Sequence, residues 1–144
     1  MMMNFLEFVS QKAQACGWSI SEVVSESMVS LNFSVEGRAE KVYVRPCGKT
    51  ADDNTVIEFK SSGLVVPDDE TLAHDLGFAL LRRNGDMLMG HWGIEEVGGA
   101  QYFTIFVTQI ANTMDMDEFK GAVNAILGER SRFNKVLQSA TIGF

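Results

Sequence analysis

The stretch Leu80–Ile94, LLRRNGDMLMGHWGI, decides how the fold is read. It gathers two arginines, a histidine, a tryptophan and two methionines, so it is either a chemical site or a helix end running into a strand. Upstream, Pro67-Asp68-Asp69-Glu70 is an acidic helix start. Its carboxylates favour the positive end of a helix dipole, and Asp68 or Asp69 can cap it. Leu72, Leu76, Ala79, Leu80 and Arg83 then fall on one helical stripe. Asn84-Gly85 closes the helix, since both residues tolerate left-handed backbone. From Met87 to Ile94 the period changes to two: Leu88, Trp92 and Ile94 share a face with Gly90, while Met87, Met89, His91 and Gly93 take the other. Helix followed by strand is the reading this pattern supports.

Working outward, Gly98-Gly99 turns the chain into QYFTIFVTQIA, which is apolar on both faces and so belongs at a sheet centre or an interface. Asp115 and Glu118 form a capping-box pattern before a last helix, whose apolar stripe is Phe119, Val123, Ile126 and Phe133. Towards the N-terminus, a first helix is expected from about Asn4 to Cys16. Asn4 is its N-cap with Glu7 at the third position, Phe5, Leu6, Val9 and Ala13 are its apolar residues, and Gly17 is its stop. Val29, Leu31, Phe33 and Val35 alternate with polar residues as a half-buried strand, and Gly37-Arg38 marks a turn. EKVYVRP reads as a second strand ended by Pro46, CGKTADDN as a polar loop, and TVIEFK as a third strand with Ile57 and Phe59 on one face. The order is α-β-β-β-α-β-β-α. This is an α+β fold, one antiparallel sheet with helices packed on it, in a single domain over residues 1–144.

A chain of 144 residues is long enough to bury a core, and 46% hydrophobic against 22% charged residues describes a folded protein. The formal net charge of −7, with scattered basic residues, argues against nucleic acid and anionic membrane surfaces. The apolar runs are too short for a spanning helix, the N-terminal stretch lacks a basic region, and a cytoplasmic location is expected. Cys16 and Cys47 form no paired motif and are expected as free thiols.

The chemical candidates are thin. Gly48-Lys49-Thr50 resembles the tail of a phosphate loop, but position 43 is Tyr where that motif needs glycine. Asp52 or Asp53, followed by Glu58 and Lys60, suggests a metal-dependent hydrolase or nuclease: two carboxylates for Mg²⁺ and a lysine for developing negative charge. A solvated strand face is the competing account. His74, near Asp75 and Glu70, is weak as a metal ligand, and His91 beside Trp92 lacks a nucleophile at fixed spacing. A small-molecule pocket near Trp92 is a further alternative. Of the eight methionines, Met1–Met3 open the chain, while Met87, Met89, Met114 and Met116 are either core filling or a soft binding surface. No catalytic residue, cofactor site or metal site is assigned.

One resemblance gathers these elements. A helix ending Leu80-Leu81-Arg82-Arg83-Asn84, a strand holding Gly90-His91-Trp92-Gly93-Ile94, a glycine hairpin, a second strand and a long closing helix resemble the type III secretion chaperone-like superfamily, including its YbjN-type members. The resemblance implies a non-enzymatic, homodimeric protein-binding module, chaperone-like or regulatory, that holds polypeptide segments on apolar patches or sheet edges. Under it, partner contacts are expected at Phe5, Phe8 and Val9 of the first helix and at Val29 and Leu31 of the first strand. Dimer contacts are expected at Phe78, Leu81, Tyr102 and Phe106. His91-Trp92 puts a bulky polar-tipped aromatic where smaller apolar residues are common in the family, which favours the YbjN-type reading over a secretion-effector role.

Overall fold

The computed structural model describes residues 4–142; the expectation for Met1–Met3 lies outside them. The chain runs α1 (Phe5–Ala15), β1 (Glu22–Ser25), β2 (Met28–Val35), β3 (Arg38–Lys49), β4 (Thr55–Val65), α2 (Glu70–Asn84), β5 (His91–Val97), β6 (Ala100–Ile110), a short 3₁₀ turn (Ala111–Thr113) and α3 (Met116–Ile142). All the strands form one antiparallel sheet in the order β1-β2-β3-β4-β6-β5. The α+β class and the expected element order hold, with one strand added at the β1 edge.

The caps are made as local chemistry dictates. Asn4 Oδ1 accepts from the Glu7 amide at 3.1 Å, and Asp69 Oδ1 from the Leu72 amide at 2.9 Å. Asp115 and Glu118 close a reciprocal box: the Glu118 amide donates to Asp115 Oδ1 at 2.7 Å, and the Asp115 amide donates to Glu118 Oε1 at 3.2 Å.

Alternation assigns one sheet face to the core. Val29 and Leu31 of β2, Val42 and Val44 of β3, Ile57 and Phe59 of β4, Phe103, Ile105 and Val107 of β6 and Trp92 of β5 are buried there. Helix α3 supplies Phe119, Ala122, Val123, Ile126 and Phe133 to the same core, and α1 supplies Val9 and Ala13. The pairings Val44–Phe59, Phe59–Val107 and Trp92–Ile105 carry that core across the strands. The opposite face holds half-buried Tyr43, Arg45, Glu58, Lys60, Tyr102 and Phe106.

Several local expectations are corrected. Residues 22–25 form a strand that the pattern did not show, because all four are exposed and only main-chain pairing to β2 defines it. Pro46 does not end β3: it pairs with Ile57, and the strand continues to Lys49 through a register shift between Pro46 and Gly48, so Gly48-Lys49 is strand rather than loop. β4 runs on to Val65 through a second shift between Ser62 and Leu64. The strand after α2 starts at His91, not Met87. Gly85 remains right-handed (φ −66°), and the left-handed residue is Gly90 (φ +84°). Leu88, expected on a strand face with Trp92 and Ile94, is almost wholly exposed on the connecting loop.

Candidate functional site

The end of α2 and the start of β5 are tied together through main chain and side chain at once. Asn84 Oδ1 accepts from the Trp92 amide at 2.6 Å, and Asn84 Nδ2 donates to the Trp92 carbonyl at 3.1 Å. An asparagine amide thus substitutes for the missing neighbour of an edge strand. The Trp92 indole turns into the core and packs on Phe133, with ring centroids 4.8 Å apart. A buried indole N–H needs an acceptor, and Glu129 of α3 provides it at 3.1 Å.

Glu129 is itself buried, and two guanidiniums hold it. Arg83 Nε donates to its two oxygens at 3.1 and 3.0 Å, and Arg132 donates from Nε at 2.7 Å and from Nη2 at 3.3 Å. Burial alone would raise its pKa. The hydrogen bonds from Arg132, Arg83 and Trp92 outweigh that and hold the carboxyl below its ordinary value. The same pairing raises Arg83. One turn-edge residue on, Arg130 reaches the other way: its Nη2 and Nε donate to buried Glu40 of β3 at 2.9 and 3.1 Å, and Nη1 donates to the Ser62 carbonyl. Adjacent residues of α3 thus tie it to the edge strand β5 and to the central strands β3 and β4.

Two shallow apolar grooves flank the first knot. One, of about 280 Å³, lies between α2 and β5 and is lined by Gly77, Leu80, Leu81, Trp92, Ile94 and Phe103 among others. Its rim is apolar and exposed: Leu81 is 69% accessible, Phe78 on the same helix 64%, and Ile94 59%. Gly63, at the β4 bulge, makes room for Trp92; a Cβ there would stand 2.9 Å from the indole ring.

The expected contact residues divide by burial and by face. Val9, Val29 and Leu31 are core residues with no more than 1% of their surface exposed, while Phe5 and Phe8 are half-buried at its margin. Phe78 and Leu81 stand exposed on α2. Tyr102 and Phe106 alternate with Phe103, which faces α2, and so lie on the opposite side of the sheet, where His91 stacks on Phe106 at 5.4 Å. The structure therefore does not bring the four expected dimer residues onto one face.

The expected metal triad does not converge. Asp53 pairs with Lys49 at 3.3 Å, Glu58 with Arg45 at 2.9 Å and Lys60 with Glu95 at 2.5 Å, each with a different partner. Among the described residues no group of three or more histidine, cysteine, aspartate or glutamate side chains is placed to hold a metal ion. His74 is exposed on α2, and Cys16 and Cys47 are free thiols. Met114 is core, Met116 is partly exposed, and Met87 and Met89 sit half-buried beside α3. No helix among the described residues is long and apolar enough to cross a membrane.

No protein-family model matches the sequence, and no curated protein does. Solved structures do. The structure of the ExsC-ExsE complex matches with a TM-score of 0.60 at 17% identity, covering 94% of this chain and 97% of that one. YbjN from E. coli matches at 0.60 and 15% identity, covering 94% and 92%. The HopA1-SchA chaperone-effector complex matches at 0.61 and 6% identity, covering 91% and 93%. The chain has the type III secretion chaperone-like fold of YbjN type, and at these identities the likeness speaks for the fold alone.

Proposed function

We propose that this protein is a non-enzymatic, chaperone-like module that binds polypeptide segments and works as a homodimer. The observation that carries the reading is the exposed apolar rim of Leu81 and Ile94 at the groove over Trp92, with Phe78 exposed on the same helix. Exposed apolar residues gathered at one groove mark a contact surface more often than chance. The fold adds support, since it is shared with a chaperone-effector complex.

Dimer contact is assigned to α2 and the β5 edge, through Phe78, Leu81 and Ile94. Polypeptide binding is assigned to Tyr102 and Phe106 on the other face and, as a separate surface on the helix side, to Phe5 and Phe8. The exposed edge strand β1, with Val23 and Val24 outward, offers main-chain groups for an added strand. A small-molecule sensor built on the Trp92 groove ranks second: about 280 Å³ falls just below the range of ~300–1,000 Å³ usual for such pockets.

Light scattering at two concentrations about tenfold apart tests the dimer, the wider gap exposing any weak association. Wild type is expected at twice the monomer mass at both. The double variant Phe78→Asp, Leu81→Asp is expected at monomer mass with unchanged circular dichroism, because both side chains are already exposed. Monomeric wild type at both concentrations refutes the dimer.

A further inference from the structure

A second groove, also about 280 Å³, lies on the other side of the Glu129 knot. Met87, Leu88 and Met89 of the α2–β5 loop form one wall, Ala125 and Gly128 of α3 the other, and Arg83, Glu129 and Arg132 the floor. Two guanidiniums against one carboxylate leave one positive charge there, in a chain whose formal charge is −7. Glu129 engages one N–H group of Arg83 and two of Arg132, so guanidinium donors remain beyond those it takes up. Asp86 also acts on Arg83 and lines the next groove along, which shares Arg83 and Arg132 with this one, so the positive charge left to this groove rests on Arg132.

Two features mark this groove. Leu88 is 99% exposed on its rim, where no core contact explains an apolar side chain. Gly128 sits inside a long helix, where glycine is the least favoured residue after proline. A Cβ there would meet nothing within 4 Å, so the monomer's packing does not require the glycine. Flexible methionines beside it suit a surface that adapts to a varied apolar ligand.

We propose that this groove binds a polypeptide segment presenting one carboxylate between apolar side chains. The carboxylate meets the Arg83–Arg132 floor, and the apolar side chains meet Met87, Leu88 and Met89. Charge complementarity selects this occupant, because a site carrying a positive charge inside an acidic surface attracts acidic segments and rejects basic ones. The inference rests on the polypeptide-binding reading above, but uses a surface separate from the Phe78–Leu81 rim and from the Phe5–Phe8 margin.

The test uses the full chain labelled with ¹⁵N and a small set of capped peptides, Ser-Leu-Glu-Leu-Ser, Ser-Met-Glu-Phe-Ser and their glutamine counterparts. The Trp92 indole N–H bonds to Glu129, so its signal reports on the floor, and Trp18 serves as the internal control. The expected result is a saturable shift of the Trp92 signal by a glutamate peptide. The matching glutamine peptide should bind roughly tenfold more weakly or worse, and added salt should weaken the glutamate peptide. Gly128→Leu should abolish the shift while melting at or above the wild-type temperature, since the space is empty and leucine favours helix. Arg132→Gln provides a second variant and should weaken the glutamate peptide selectively.

Equal binding of glutamate and glutamine peptides overturns the proposal, as does a Gly128→Leu protein that still binds. A Trp92 shift produced by protein concentration alone and lost in Gly128→Leu gives the groove to a second copy, and also overturns it. If no peptide of the set moves Trp92 while amides around Phe5, Phe8 or β1 respond, the groove assignment falls and polypeptide binding stands.

Discussion

Replacing Glu129 by glutamine should expose how much of this fold hangs on one carboxylate. The side chain is buried, with Arg83, Arg132 and the Trp92 indole all donating to it between 2.7 and 3.3 Å. Glutamine keeps the shape but offers one acceptor oxygen and turns an NH₂ group towards donors. Each of the two guanidinium contacts drops from an ion pair to a bond between a charged donor and a neutral acceptor, a loss of about 1 kcal/mol apiece. One donor facing another adds about 1 kcal/mol. Both arginines are about a third exposed, at 33% and 38%, so water recovers part of the loss. The net expectation is about 2.5 kcal/mol. For a chain of this length, that is a fall of about 10 °C in melting temperature.

The pH dependence supplies a second signature. The Glu129 carboxyl is held below its ordinary value of 4.5 in the folded protein. Its contribution is therefore complete above that value and is lost as pH falls through the lower folded value. The stability gap between wild type and Glu129→Gln, measured by urea melts followed by tryptophan fluorescence, should be full at neutral pH and close in acid below 4.5. A neutral-pH gap under about 0.5 kcal/mol would refute the reasoning, since that is the size of an ordinary surface substitution. A gap that does not narrow in acid would show that shape, not charge, holds the knot.

Three further outcomes follow. Asn84→Ala removes both hydrogen bonds to the Trp92 main chain and should cost about 2 kcal/mol; hydrogen exchange at the Trp92 amide should accelerate while exchange in β3 is unchanged. Gly90→Ala places a Cβ 2.6 Å from the Phe106 carbonyl oxygen at φ +84°, whereas Gly98→Ala, at φ +60°, meets open space. The first should cost about 3 kcal/mol or more and the second about 1 kcal/mol in denaturant melts, and equal costs would show that backbone strain alone is at work. Titration of Mg²⁺ or Mn²⁺ by calorimetry should give no heat that depends on Glu58, because that carboxylate is paired with Arg45; a Glu58-dependent heat would reopen the hydrolase reading.

What could be read in the sequence was local. The caps at Asn4, Asp69 and Asp115 depend on residues three apart, and the β2 alternation on residues two apart, so both are legible. Strand β1 was invisible because an exposed edge strand has no burial pattern to show. The false alternation over Met87–Gly90 came from apolar residues that line a groove and a rim rather than a strand face. The Glu129 knot joins residues 37 and 46 positions apart, beyond any periodicity. One signal for it was nevertheless present: Arg83 lies on the apolar stripe of α2, and an arginine there needs a carboxylate to meet it.

That arginine also explains how α2 can hold its place while leaving apolar side chains outside. Leu80 is the one residue of α2 that is fully buried, so hydrophobic burial attaches this helix weakly. Its attachment is concentrated instead at the C-terminal turn, where Arg83 reaches Glu129 and Asn84 reaches the Trp92 main chain. Directional contacts at one end fix position without consuming the apolar surface at the middle. Phe78 and Leu81 are then free for a partner. A helix held in this way can dock on a second chain at little cost to the sheet. For that reason, loosening Asn84 or Arg83 should weaken partner contact at Phe78 and Leu81 before it disturbs β2–β4.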